Sequence, residues 1–255
     1  MEHPFRGPVP RRIVGTAEGA GRTQLGLLGS FRLERDGVPL PVPVGCQRLM
    51  ALLGLRGRLS RTVAAGLLWP EVSDDRARAC LRTALWRLRR IDVPLVDVRA
   101  DALAPAESVD TDVRFLVGRS RTLIERPVDG PDLRALVEMS GELLPGWYED
   151  WVVVERERLR LVRLGALETI GVELTRLGLH DRAVEVGLEA VRQDPLRESA
   201  YRVLIAAHLG QANVAEAVRC YRAFRTLLHD NLGIEPSPAV LEMIMRRSSP
   251  QAAVV

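Results

Sequence analysis

Asp75-Arg-Ala-Arg-Ala-Cys-Leu-Arg-Thr-Ala-Leu-Trp-Arg-Leu-Arg-Arg90 separates into two faces when it is wound as a helix. At about 100° per residue from Arg78, residues Ala77, Leu81, Ala84, Leu85 and Leu88 fall between about 240° and 340°. That is one apolar stripe, suited to facing a core. Arg78, Arg82, Thr83, Trp86, Arg87, Arg89 and Arg90 fall on the opposite side, between about 0° and 180°. Residues 76–90 hold six arginines and no acid. A surface helix ordinarily mixes signs to gain pairs one turn apart. Here like charges repel, so an anionic partner is the natural explanation; a solvated basic face is the plainer one. A helix of this shape fits a DNA major groove. Arg82 and Thr83, in the middle of the exposed face, are the candidates for base edges, and Arg78 is placed to reach bases as well. Arg87, Arg89 and Arg90 are assigned to phosphates. Two readings stay open for Trp86: packing on a sugar or thymine methyl, or capping the edge of the core.

The segments around this helix predict its setting. Residues 24–44 read as short strands. Phe31-Arg-Leu-Glu-Arg35 and Val38-Pro-Leu-Pro-Val42 alternate apolar and polar around Asp36-Gly37, a hairpin signal. The prolines suit an edge strand. Leu49, Leu52 and Leu53 predict a helix over 45–57. Ser60 is the expected N-cap of a second helix reaching Trp69, and Ser73, Asp74 and Asp75 begin the Arg-rich third. Residues 95–104 alternate around Ala100-Asp101 and predict a small hairpin, with Arg99 near its tip as a candidate for the minor groove or backbone. Strands, three helices, then a hairpin is the order of a winged helix-turn-helix with an added N-terminal sheet.

From Asp112 onward the chain reads as helical. Ala183 and Ala217, Val184 and Val218, Leu167 and Tyr201, and Ile170 and Leu204 are each spaced by 34 residues, the tetratricopeptide period. Gly171, Ala183, Ala190 and Pro195 fall where that motif places small residues and a terminating proline. The second copy is degenerate, with Phe224 and His229 at the last two of those places. Over Tyr148 to Leu177, Leu159, Val162, Ala166 and Ile170 share one face, and Leu164, Leu167, Gly171 and Leu174 another. Such a helix must pack on two neighbours, as in a solenoid. The fold expected is therefore α+β in the N-terminal part, a winged helix-turn-helix with a small β-sheet, followed by an all-α tetratricopeptide-like domain. The boundaries expected are a disordered leader over 1–22, the winged helix over 23–110 and the helical domain over 111–255.

Composition narrows the function. Residues 1–110 carry 17 Arg against 12 acids, a net of +5, and residues 111–255 carry 19 against 21, a net of −2. Positive charge thus sits where a polyanion would bind. Every basic residue is Arg, whose guanidinium pairs bidentately with phosphate and guanine as an ammonium does not. Cys46, Cys80 and Cys220 are far apart and show no metal spacing, so reduced, mostly buried thiols are expected. His3, His180, His208 and His229 are scattered. No phosphate-binding glycine loop or nucleophile–base pair is present, so neither enzyme nor cofactor chemistry is expected. The leader is broken by Pro and Gly and lacks an apolar core, so it is not read as a signal peptide, and no apolar run is long enough for a membrane helix. A cytoplasmic, nucleoid-associated protein with no membrane partner is expected.

Leu143-Leu-Pro-Gly-Trp-Tyr-Glu-Asp-Trp-Val-Val-Val-Glu-Arg-Glu-Arg-Leu-Arg160, Asp194-Pro-Leu-Arg-Glu-Ser199, Ala215-Glu-Ala-Val-Arg-Cys-Tyr221 and Leu232-Gly-Ile-Glu-Pro-Ser237 resemble the signature of the bacterial transcriptional activator domain. Leu27-Leu-Gly-Ser-Phe31, Leu68-Trp-Pro70 and Leu81–Arg90 resemble the OmpR-like winged helix that precedes this domain in the antibiotic regulatory protein (SARP) family. The resemblance covers about residues 24–247. It implies an activator that binds direct repeats in double-stranded DNA near a promoter and contacts RNA polymerase holoenzyme, with antibiotic biosynthesis genes as common targets. The second domain would pair protomers into a homodimer or touch the polymerase. The hairpin lacks the Gly-Tyr pair common at the family's wing. Neither an ATPase module after the helical domain nor nucleotide control is expected. The alternative is a tetratricopeptide-type adaptor whose helical groove binds protein without specific DNA binding. A repressor on the same fold is a third reading.

Overall fold

The computed structural model describes residues 21–125 and 141–248, mostly helical with small sheets in the N-terminal part. They divide into two compact units, residues 21–118 with 141–157, and residues 119–125 with 158–248.

In the first unit, β1 (Thr23–Gly26), β2 (Arg32–Arg35), β3 (Val38–Pro39) and β7 (Val109–Thr111) form one sheet in the order β3-β2-β1-β7. β1 and β2 are antiparallel with Leu25 opposite Leu33, and both leucines are buried. Asp36 and Gly37 both have positive φ, 51° and 81°, which is the left-handed pair a tight hairpin requires. β3 is an exposed edge, where Pro39 is tolerated. β7 pairs parallel to β1. The expected leader falls on residues 1–20, outside the described residues, except for its last two positions. Of these, Arg22 is held: its N–H donates to Asp36 and its guanidinium to Asp110, each at 3.1 Å.

α1 (Val44–Arg56) lies close against this sheet. A Cβ on Gly54 would sit 2.6 Å from Leu25 Cδ2, so only glycine fits there without displacement. α2 (Arg61–Leu68) starts at Ser60, whose hydroxyl accepts from the Val63 N–H at 3.2 Å, as the N-cap reading anticipates. α3 (Asp74–Arg89) packs on both α1 and α2. The hairpin expected over 95–104 is present as β5 (Val96–Arg99) and β6 (Ala102–Pro105), with Ala100 at φ 50° in the turn. A third strand, β4 (Leu59–Ser60), pairs with β6 through Leu59–Leu103 and Ser60–Ala102. Two residues are too short for alternation to show in a sequence.

Beyond β7, Asp112 opens α4 (Asp112–Glu125). One carboxylate oxygen accepts the N–H groups of Leu27 and Leu28, at 2.8 and 2.9 Å, and the other accepts that of Val113 at 2.7 Å. Burial pushes this carboxyl above its ordinary range, while those N–H groups and Arg32 pull the other way. Residues 141–157 also belong to this unit, although the sequence boundary at 110/111 assigned them to the second domain. Backbone bonds run from Gly29 N–H to Glu142 and from Leu144 N–H to Leu27, at 2.8 and 2.9 Å. Trp147 stacks on Phe31, and Trp151 meets Trp147 edge-on. Arg48 pairs with Glu149 and Arg56 with the buried Glu155, each at 2.8 Å. Such long-range partners cannot be read from local pattern.

The second unit is helical: the rest of α5 (Asp150–Arg176), α6 (His180–Gln193), α7 (Glu198–Gly210), α8 (Val214–Leu232) and α9 (Pro238–Ser248). Each helix from α6 to α8 packs on the next, and α9 packs on both α8 and α7. Tyr201 stacks on Phe224 with ring centroids 4.2 Å apart, at the centre of a cluster with Ile205, Leu228, Val240 and Ile244. The members of each pair spaced by 34 residues share one degree of burial, from the fully buried Ala183 and Ala217 to the half-buried Val184 and Val218. Both apolar faces expected of α5 are buried apart from the half-buried Val162. Charge joins the turns: Arg197 and Ser199 both donate to Glu168, and Arg160 pairs with Asp194 at 2.7 Å.

A Cβ on Gly171 would lie 2.3 Å from Val203 Cγ1, and valine is stiff about χ1. Gly171→Ala should therefore destabilise the protein by about 1–3 kcal/mol, less the ~1 kcal/mol gained in helix propensity. Urea unfolding checks this, and the added substitution Val203→Ala should recover part of the loss rather than add to it.

Candidate nucleic-acid interface

α3 begins on Ser73, whose extended backbone (φ −60°, ψ 152°) suits an N-cap, but its hydroxyl makes no cap bond. Asp74 and Asp75 occupy the first turn, where they face the positive end of the helix dipole. The buried residues of α3 are Ala77, Leu81, Ala84, Leu85 and Leu88, the stripe that the helical wheel predicts. Beneath them Cys46 of α1 is fully buried, and its thiol donates to the Ala84 carbonyl at 3.6 Å. Burial raises the pKa of this thiol against an opposing pull from Arg87, so it stays protonated. Cys80 and Cys220 are half-buried, and all three cysteines are free.

The other side of the helix is solvent-facing. Arg78, Arg82, Thr83, Trp86, Arg87, Arg89 and Arg90 are all exposed. Among the described residues no carboxylate lies within ion-pair distance of Arg82, Arg87, Arg89 or Arg90. Arg78 reaches Asp75 at 3.6 Å, a long and exposed contact of little energetic weight. Trp86 is 57% exposed, and its ring lies 4.9 Å from the Arg90 guanidinium carbon. The Thr83 hydroxyl donates back to the Ala79 carbonyl at 3.1 Å, which leaves its methyl and an oxygen lone pair to face outward. Arg99, on β5, is exposed but donates to Asp97 at 2.8 Å, so it is the least available of the candidate cations.

Three cations were not singled out from the sequence. Arg76, in the first turn of α3, is exposed and belongs to the same basic run. Arg58 and Arg61 bracket β4, and the Arg61 N–H donates to the Asp101 carbonyl in the β5–β6 turn at 2.8 Å. The hairpin sheet therefore has Arg58 exposed and Arg61 half-exposed beside it. Among the described residues neither has a carboxylate within ion-pair distance. Only the pairing of β4 with β6 brings them there, and a two-residue strand gave no signal.

This architecture has known counterparts. Residues 131–246 match the bacterial transcriptional activator domain family. The chain is 33% identical over 251 residues to the regulatory protein AfsR of Streptomyces coelicolor, a match covering 90% of this chain and 24% of AfsR. It is 25% identical over 266 residues to the transcriptional regulatory protein MoaR1 of Mycobacterium bovis, covering 94% of this chain and 83% of MoaR1. The chain thus spans about a quarter of AfsR and most of MoaR1. A solved structure of Mycobacterium tuberculosis EmbR in complex with a low affinity phosphopeptide shares the fold, with a TM-score of 0.73 at 21% identity over 90% of this chain and 66% of that one. The chain carries a bacterial transcriptional activator domain and is a relative of the SARP-type transcriptional regulators, as the motifs at 143–160 and 194–237 imply.

Exposure predicts an order of chemical reactivity. With limiting phenylglyoxal, Arg82, Arg87 and Arg89 should be modified before Arg48 and Arg56, whose side chains are only about a third exposed and are ion-paired. Mass spectrometry reads the order, and earlier labelling of Arg56 than of Arg82 would contradict the described surface.

Proposed function

We propose that the chain is a sequence-specific DNA-binding transcriptional regulator that activates promoters carrying direct repeats and contacts RNA polymerase. Its N-terminal unit acts as a winged helix, with α3 in the major groove and the β5–β6 hairpin as the wing. Its helical unit works as a tetratricopeptide-like module that pairs protomers or meets the polymerase. The reading rests on one observation above all: four exposed arginines of α3, Arg82, Arg87, Arg89 and Arg90, face solvent with no carboxylate within ion-pair distance among the described residues. Clustered like charges raise the energy of the free protein, and a phosphate backbone relieves that cost.

The roles follow from position. Arg82 is suited to the paired acceptors of guanine O6 and N7. Thr83, with its hydroxyl proton committed to Ala79, offers a methyl to a thymine methyl or a lone pair to an adenine or cytosine amino group. Arg87, Arg89 and Arg90 suit phosphates, and Arg58 and Arg61 supply a second cationic patch beside the wing. Arg99, held by Asp97, contributes less than its place near the turn suggests. Among the described residues no helix is long and apolar enough to cross a membrane, and the relatives are regulators. A cytoplasmic, nucleoid-associated location fits both.

Two measurements test the proposal. With Arg87, Arg89 and Arg90 each neutralising one phosphate, the log–log dependence of affinity on salt should have a slope of about −3, near −0.9 for each, and steeper by about one for each of Arg58 and Arg61 that also engages. Arg82→Ala should cost about 1–3 kcal/mol on the selected site and relax specificity at one base pair. A gel-shift assay in which joint removal of Arg78 and Arg82 changes nothing would refute the placement of α3 in the groove.

A further inference from the structure

Arg90 occupies the C-cap of α3, one turn beyond Trp86, and its guanidinium lies over the indole ring at 4.9 Å from the centroid. Both side chains are exposed, so burial does not force them together. The basic surface contains two ways of holding an arginine. Arg99 is held by the Asp97 carboxylate, which fixes the side chain and also offsets its charge. Arg90 is held by a neutral ring.

We propose that Trp86 is a positioning residue for duplex binding, one that orders the Arg90 guanidinium without neutralising it, so that Arg90 meets a DNA phosphate already arranged. This rests on the reading of α3 as the DNA-facing helix. A free arginine on a helix surface samples many rotamers, and fixing them on binding is unfavourable. Stacking restricts that sampling beforehand. A guanidinium over a ring can present its flat face to it, while its N–H donors lie in the plane and point out at the edges. Face and edge are independent, so the stacked cation can still give a bidentate pair to phosphate oxygens. A carboxylate would occupy the same edge that the phosphate needs.

Arg78, Arg82, Trp86 and Arg90 form one row at four-residue steps along α3. An arginine at position 86 would add another repelling charge to that row; a carboxylate would remove one. An aromatic residue does neither, and it gives the row's terminal cation a fixed direction where the helix has ended and the backbone offers no further turn to pack against.

The test uses the full chain and fluorescence anisotropy over a salt series. The probes are a duplex selected by the wild-type protein from a randomised pool and a shuffled duplex of the same composition. Arg90→Ala should weaken both complexes and lower the salt slope by about one unit. Trp86→Ala should weaken both by about two- to fivefold, the range of an exposed cation–π contact, and leave the slope nearly unchanged because the charge remains. Trp86→Phe should retain most of the affinity. In the double variant Trp86→Ala with Arg90→Ala the loss should not exceed that of Arg90→Ala alone. Additive losses would overturn the proposal, and so would a Trp86→Ala effect confined to the selected duplex, which would make the indole a base-reading group. In the free protein the Arg90 side-chain protons should show ring-current shifts that vanish in Trp86→Ala; their absence would overturn the proposal without DNA. If wild-type protein binds neither duplex, the DNA-binding reading fails, and this NMR readout still decides the Trp86–Arg90 contact.

Discussion

Helix α3 must satisfy two demands at once, and the rest of the N-terminal unit is arranged around them. Its leucines have to be buried firmly enough on α1 and α2 to hold a helix whose other side is crowded with positive charge. Leu81, Leu85 and Leu88 are each at most 5% exposed. Full burial of such a side chain is worth about 1.5–3 kcal/mol, against a few tenths for each like-charge neighbour on the opposite face. The hydrophobic contribution therefore dominates, and the repulsion is tolerated rather than relieved by internal ion pairs. Elsewhere acids and arginines are freely paired, as in Arg48–Glu149, Arg56–Glu155 and Arg160–Asp194. What marks α3 is that Arg82, Arg87, Arg89 and Arg90, without such a pair among the described residues, crowd one exposed side of a single helix.

What could be read beforehand was whatever is local. The buried stripe of α3, the Asp36-Gly37 turn, the Ser60 cap and the hairpin around Ala100 all depend on residues a few positions apart, and each is present. What escaped is non-local. β4 and β7 are two and three residues long, and only their partners make them strands. The segment 141–157 carries the most recognisable motif in the chain, yet its attachment to the first sheet depends on Phe31, Leu27 and Gly29 more than a hundred positions earlier. The same limit applies to the site. The exposure of the α3 arginines follows from periodicity, and Asp97 with Arg99 and Trp86 with Arg90 are spaced to share a strand face and a helix face, but spacing alone does not decide that they meet, and the approach of Arg61 to the hairpin turn depends on strand pairing.

The helical unit shows how a weak repeat persists when side chains change. Tyr201 stands where the first copy has Leu167, and Phe224 where it has Ala190, yet all four are buried. The larger aromatic residues fill one shared cluster by stacking on each other. What is retained is which positions face inward. The volumes there are redistributed, as cores permit when the total filling is kept.

Arg156 illustrates a different economy of design. Its guanidinium donates to the carbonyls of Leu143, Leu144 and Trp147 and lies 3.1 Å from Glu142. A single planar cation thus acts as a clasp that shuts a six-residue bend onto the first turns of α5. Leu144 and Gly146 sit there at positive φ, in a shape the backbone would not keep unaided. Because the clasp works through fan-shaped geometry as well as charge, an ammonium group could not close it in the same way, and the backbone that carries Trp147 to its stack on Phe31 is fastened by a single side chain.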